Sequence, residues 1–269
     1  MENAKIHQIK VDFNVTPEIQ RYVYVYIIEA KHCYLVDSGV CGCEEQILNY
    51  LASIGRSVAD IKGILVTHSH PDHIGTLSWF QKNTNCRIYA SEGEKRWIEN
   101  IDLQFKERPI PNFYALAGSS ARVDVIVRDG DRITLEEGLS LEIIRTAGHS
   151  ADGVSYRLGS RMFIGDAVPV KGDIPIMISE AEMRATLQRL KQVSGVETFY
   201  PAWDMTYSNE EMKNKLREAN ELMAVLKNAV VSLDKGQALP ALVDEVCREL
   251  NMGFLKSNPL FATTINCLR

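Results

Sequence analysis

The chain has 269 residues, is 45% hydrophobic and 24% charged, and carries a formal net charge of −5. This is the composition of an ordinary globular protein, and its acidic balance speaks against nucleic acid as an obligatory partner, because phosphate binding needs clustered Lys and Arg. No apolar run approaches the roughly 20 residues that a membrane span requires, and the opening "MENAKIHQIK" has neither an apolar core nor a cleavage signal, so a cytoplasmic location with no membrane partner is expected.

The chain opens with strand material. "AKIHQIKVDF" alternates, and "YVYVYIIEAKHCYLVDSG" reads as two β-rich runs, Tyr22–Ile28 and His32–Val36, around a polar turn. In "CEEQILNYLASIG", Ile47, Leu48, Leu51 and Ile54 fall at helical spacing and Gly55 marks the stop. "IKGILV" is short and β-branched, as a buried strand is. "IGTLSWFQKN" predicts the next helix and "CRIYAS" the next strand, and alternation of this kind indicates an α/β architecture. Residues 100–121 break the rhythm with two prolines and several aromatics, which leaves two readings: a surface connection or a wall over a pocket. "RVDVIVRDGDRITLEEGLSLEIIRTAGHS" predicts three strands, and "VSYRLGSRMFIGDAV" a hairpin turning at Leu158-Gly159-Ser160. "SEAEMRATLQRLKQV" predicts a helix opened by a capping box of Ser179 and Glu182. "VETFYPAWD" is one more strand with a loop at its end.

From Asn209 onward the pattern is helical. Met212, Leu216, Ala219, Met223, Leu226 and Val230 step at three or four residues. "LPALVDEVCRELNM" and "NPLFATTINCLR" follow, the latter with Asn258 as cap and Pro259 at the first helical position. The expected organisation is a main domain over residues 1–208 and a helical extension over 209–269 packed on it, whose roles include capping, substrate contact or formation of a homodimer. The six cysteines form no C-x-x-C pair and read as reduced thiols, with Cys41 and Cys43 as small residues at a helix start.

Candidate metal ligands sit where strands end. "ILVT" runs into His68, Ser69, His70, Pro71, Asp72 and His73; "LEIIRTAG" ends in His149, "RMFIG" in Asp166, "YPAW" in Asp204 and "CYLV" in Asp37. Strand ends that share one sheet edge are where α/β proteins build sites. Taken alone, Asp72 also reads as a cap for a helix starting near Ile74. Taken together, His68, His70 and His149 would make a three-histidine site with an open position, and Asp72, His73 and Asp166 a second site, with Asp166 able to bridge two ions roughly 3.5–4 Å apart. Imidazole and carboxylate suit Zn, Fe, Ni or Mn. His7 and His32 are left as ordinary residues.

The order "YLVDSG", "THSHPDH", "TAGHS" and "FIGDAV" resembles the metallo-β-lactamase superfamily, over about residues 5–205. The resemblance implies an αββα sandwich, two mixed sheets face to face with helices outside. It implies two divalent ions, zinc first with iron or manganese as alternatives, one held by His68, His70 and His149 and the other by Asp72, His73 and bridging Asp166, with Asp37 in support. It implies a hydrolase in which a metal-activated water cleaves an ester, thioester or lactone of a small molecule, with Asp72 moving the proton. An iron-dependent redox enzyme such as a sulfur dioxygenase, and a non-catalytic binding protein, are the alternatives. One departure stands out. Members similar to glyoxalase II carry a final histidine in a Pro-Gly-His-Gly-like segment; here the segment reads "YPAWD", and no histidine follows His149. With Trp203 in the histidine's place, three readings stand: Asp204 replaces the ligand, the second ion is weakly held or absent, or hydrolysis has been lost in favour of binding. Trp203, Tyr207, Lys171 and Phe113 are candidate pocket residues.

Overall fold

The computed structural model describes residues 4–17 and 19–269. Two six-stranded sheets lie face to face. The first contains β1 (Lys5–Thr16), β2 (Ile19–Glu29), β3 (Cys33–Val36), β4 (Ile61–Leu65), β5 (Arg87–Ser91) and β6 (Val125–Val127), in that spatial order. The first two pairings are antiparallel and the remaining three parallel. Between these strands lie α1 (Glu44–Ser53), α2 (Pro71–Ile74), α3 (Leu77–Asn83), α4 (Glu92–Ile98), α5 (Ile101–Glu107) and α6 (Phe113–Ala117). The second sheet is built from β7 (Arg132–Glu136), β8 (Leu139–Arg145), β9 (Val154–Leu158), β10 (Arg161–Gly165), β11 (Thr198–Pro201) and β12 (Tyr207–Ser208). Helix α7 (Glu180–Gln192) precedes β11, and α8 (Asn209–Leu233), α9 (Leu239–Glu249) and α10 (Pro259–Cys267) complete the chain. This is the αββα sandwich that the sequence implied.

Period-2 alternation decides which layer each strand residue joins. In β2, Val23, Val25 and Ile27 face the outer helices with Ile47, Leu51 and Phe80, while Tyr26 and Ile28 face the second sheet. The layer between the sheets is closed by Tyr34, Val36 and Leu65 from one side and Leu141, Ile143, Tyr156 and Phe163 from the other. Outside the second sheet, Met162, Ile164 and Phe199 pack with Leu187, Leu216, Met223, Leu242, Val246 and Phe261. The helices from α7 to α10 therefore share one continuous apolar core with that sheet. Among the described residues no helix is long and apolar enough to cross a membrane.

Local details differ from the sequence reading at three places. Ser179 caps α7 by accepting from the Glu182 amide at 3.3 Å, but the Glu182 carboxylate does not reach back to complete a box; it takes Arg145 at 2.6 Å instead. A charge-assisted bond to Arg outcompetes a neutral backbone amide. Helix α2 starts at Pro71, so His70 holds the cap position and Asp72 lies inside the first turn. The third difference is in 100–121, where two short helices, α5 and α6, form in the segment whose sequence shows no regular pattern. Both are too short to show a helical stripe, and α5 is started by Asn100, whose side chain accepts from the Leu103 amide at 3.0 Å.

Candidate metal centre

Everything in the site hangs on the ends of β3, β4, β8 and β10. Asp37 follows β3 with φ 58°, a left-handed conformation that Asp tolerates better than most residues. Its backbone N–H donates to Leu65 O at 2.9 Å. Its buried carboxylate accepts from the Thr67 amide at 2.7 Å, from Thr67 Oγ1 at 2.8 Å and from His73 Nδ1 at 2.8 Å. One carboxylate thus fixes both ends of the histidine loop. Because Thr67 Oγ1 gives its proton to Asp37, it is left to accept from His68 Nδ1 at 3.1 Å. His149 Nδ1 donates to Ile176 O at 3.2 Å. In all three rings Nδ1 is engaged, which turns Nε2 toward the cluster, the support usual for metal-bound imidazole. The middle of the loop is held from outside by Glu94, which accepts from the Ser69 amide at 3.0 Å and from the Ser69 hydroxyl, and by Gln104, whose Nε2 donates to Ser69 O at 2.6 Å. Gly165, at φ 50°, brings β10 against this network; a Cβ there would lie 2.6 Å from Thr67 Oγ1.

The donor atoms converge. His70 Nδ1 lies 3.0 Å from His68 Nε2 and 2.8 Å from His149 Nε2. Asp166 Oδ2 lies 3.3 Å from His73 Nε2, 3.4 Å from His149 Nε2 and 3.8 Å from His68 Nε2. A tetrahedral ion with bonds of about 2.0–2.1 Å holds its ligand atoms about 3.3 Å apart, so these separations match a donor set. Two groupings emerge: His68, His70 and His149, and His68, His73 and Asp166. Asp72 stands at the edge of the second, with Oδ2 3.6 Å from His73 Nε2.

The polar balance of the site also fits a cation. His73 Nε2 and Asp166 Oδ1 are buried with no hydrogen-bond partner among the described residues, a costly arrangement unless something binds them. Burial keeps His68 and His70 well below the usual histidine range and lowers His149 to about 4, so all three are neutral donors at neutral pH. His73 goes the other way. Burial opposes its charge, but Asp166, Asp37 and Asp72 together outweigh it and hold the proton on. The three carboxylates demand positive charge at this spot, which is what a divalent ion provides.

Other sequence candidates are placed elsewhere. Asp204 is not among the converging donors. Its Oδ1 accepts from the Met205 amide at 2.8 Å, and its Oδ2 accepts from Tyr207 Oη at 2.6 Å and Lys215 Nζ at 2.9 Å. Helix α8 claims this carboxylate, so it is not free to complete a metal site. Tyr207 is buried behind it in the outer core rather than in a pocket. Lys171 is exposed on a turn, and Phe113 is packed with Ile101 and Ala117. Trp203 does line a cavity. His7 pairs with Glu29 and His32 with Glu136, away from the donors.

That cavity, of about 370 Å³, opens onto His70, Asp72, His149 and Asp166. Its walls are largely apolar, with Phe13, Ile110, Leu116, Val168, Ile174 and Trp203 among them. Arg108, Ile110, Pro111 and Leu116 come from the 100–121 segment, so that segment is a wall and not only a surface connection. The C-terminal part contributes Phe254, Asn258 and Leu260. Arg108, Glu94, Thr67 and Gln104 were not singled out by the sequence, because nothing local marks a polar residue whose partner lies dozens of positions away.

A family model described as the metallo-beta-lactamase superfamily matches residues 18–233. The chain belongs to the metallo-beta-lactamase superfamily. Within it, the chain is 30% identical over 202 residues to a hydroxyacylglutathione hydrolase from Thiobacillus denitrificans, a match covering 74% of this chain and 66% of that relative. It therefore spans just under two thirds of that relative's length. It is 25% identical over 242 residues to a hydroxyacylglutathione hydrolase from Yersinia pestis, covering 89% of this chain and 84% of the relative. Among solved structures of the metallo-beta-lactamase fold, a family protein from Thermus thermophilus superposes with a TM-score of 0.77 at 19% identity, covering 98% of this chain and 92% of that one. A subclass B3 metallo-beta-lactamase of Bradyrhizobium japonicum gives 0.60 at 22% identity, covering 78% and 90%.

Proposed function

We propose that the chain cleaves an ester, thioester or lactone of a small, mainly apolar molecule. By class it is a metal-dependent hydrolase. The observation that carries this is the donor cluster, three of whose members, His70, His149 and Asp166, line an apolar cavity. A divalent ion held there supplies Lewis acidity, polarising a substrate oxygen and lowering the pKa of a water toward about 7. The protein's own residues do the rest. The apolar walls strip water from the substrate and hold its scissile bond over the donors. Asp72, half-buried and facing the cavity, is placed to take a proton from the attacking water and return it to the leaving oxygen or sulfur. Asp37 keeps the His73 ring and the loop in register while this happens.

The relatives' name specifies a hydroxyacyl conjugate of glutathione, which is a thioester. We carry over the bond type and not the glutathione. A charged peptide thiol needs several free polar partners, whereas this cavity is mainly apolar and two of its cations, Arg21 and Lys256, are paired with Asp173 and Asp244. A panel of thioesters, lactones and phosphodiesters with Zn, Mn and Fe is the test. Hydrolysis of apolar acyl esters or thioesters is expected. Tightly bound iron with oxygen consumption on a persulfide, or no turnover with any metal, would sink the reading.

With Asp204 engaged by Lys215, the second ion in this reading has fewer protein ligands than the first. Trp203→His is then expected to raise the metal bound per chain, measured by inductively coupled plasma mass spectrometry after equilibration with zinc. Unchanged metal content would mean that position 203 lies outside ligating reach.

A further inference from the structure

Arg108 is the residue of the cavity that the hydrolytic chemistry does not use. It follows α5 directly and sits one turn beyond Gln104, whose side chain pins that helix to Ser69 in the histidine loop. The Arg108 N–H donates to Gln104 O at 2.7 Å, so the residue that anchors α5 also holds Arg108 beside the site. It lines the cavity together with His70, Asp72, His149 and Asp166. Its Nη1 is buried and has no hydrogen-bond partner among the described residues.

The other cations of the cavity wall are accounted for. Arg21 pairs with Asp173 at 2.6 Å and stacks on the Trp203 ring, its Cζ 4.3 Å from the centroid. Lys256 pairs with Asp244 at 3.3 Å. Arg108 has no such partner among the described residues. Burial lowers it to about 10, against the pull of Asp72, Glu94 and Asp166, so it remains charged at neutral pH. Two of those carboxylates belong to the donor cluster, and bound cations would take up their charge. A buried guanidinium is costly unless it is paired. Trp203 adds a second donor of the same kind, for its Nε1 is also buried without a partner. Unpaired donors on two walls of an apolar cavity describe a ligand that is apolar in bulk and rich in acceptor oxygens at one point.

We propose that Arg108 determines specificity by binding an anionic oxygen group, carboxylate or phosphate, on the apolar part of the substrate. The proposal rests on the hydrolase reading for the word substrate. Its planar fork matches either group with two parallel hydrogen bonds, which a lysine cannot reproduce.

The test is titration calorimetry on the metal-loaded protein, with decanoate, decyl phosphate and decanol as probes. The wild type is expected to bind at least one of the anions about tenfold or more tightly than decanol, in keeping with a charge-assisted pair. Arg108→Met is expected to bind decanol as the wild type does and to lose the preference for the anion. The tighter of decanoate and decyl phosphate identifies the group. Equal binding of anions and alcohol by the wild type overturns the proposal. So does a preference that survives in Arg108→Met, since the bound metal then holds the anion. Should the Met variant fail to fold, Arg108→Gln keeps a polar side chain at the site, and the same criterion applies to it. No turnover enters this measurement, so an inactive substrate panel would remove the hydrolase reading and leave the anion site standing.

Discussion

Asp166→Ala is expected to strip the protein of most of its bound metal and to lower hydrolysis by at least about 100-fold. Loss of a residue that merely supports a metal ligand costs about 10–100-fold, and Asp166 is closer than that. Its Oδ2 lies within 3.8 Å of three histidine nitrogens, while its Oδ1 is buried without another partner. It is also the only carboxylate in the two donor groupings found among the described residues, so the variant would leave each grouping with histidines alone. Metal analysis beside a thermal melt separates this outcome from misfolding. A variant that retained full metal content and activity would show that the cluster works without its carboxylate.

Gly75→Ala is expected to destabilise the protein by about 3–5 kcal/mol, at the severe end for a single added methyl group. A Cβ at Gly75 would lie 2.1 Å from Cys41 N, 2.4 Å from Leu116 O and 2.4 Å from Val40 C. All three are backbone atoms, and they are joined, for Cys41 N donates to Leu116 O at 2.7 Å. No side chain can rotate away to make room. Each kcal/mol lowers the melting temperature of a chain this size by about 2–4 °C, so a fall of roughly 10 °C is the expected reading in differential scanning calorimetry. Gly75 stands two residues after His73, and the backbone shift would carry the loop with it. Weaker metal binding should therefore accompany the lower melting temperature. A variant that melts within a degree of the wild type would contradict this packing.

The sandwich was legible because its strands are short, β-branched and alternate cleanly, and because long helices such as α8 repeat their apolar residues at helical spacing. Short elements were not. Helices α4 to α6 hold too few turns for a period to show, and they are fixed by contacts with the histidine loop. The residues that converge were legible because His68, His70 and His73 crowd into one loop and His149 and Asp166 follow strands. Asp204 misled for a plain reason: position along the chain says nothing about which neighbour a carboxylate will meet, and here Lys215 from α8 reached it first. Arg108 and Glu94 were silent in the sequence because their meaning depends on Ser69 and the cavity, which only folding brings near.

The cavity draws its floor from strand ends in the first 166 residues and part of its rim from Phe254, Asn258 and Leu260 near the end of the chain. Part of the surface that chooses what reaches the reacting groups is thus encoded apart from them. A lineage could change those few rim residues and acquire a new diet while the helical core beneath them stays as it is. For an engineer the same division makes the tail a natural cassette. Libraries confined to Phe254, Lys256 and Leu260, which line the cavity outside the apolar core, would sample substrate preference while each member keeps the wild-type histidine loop.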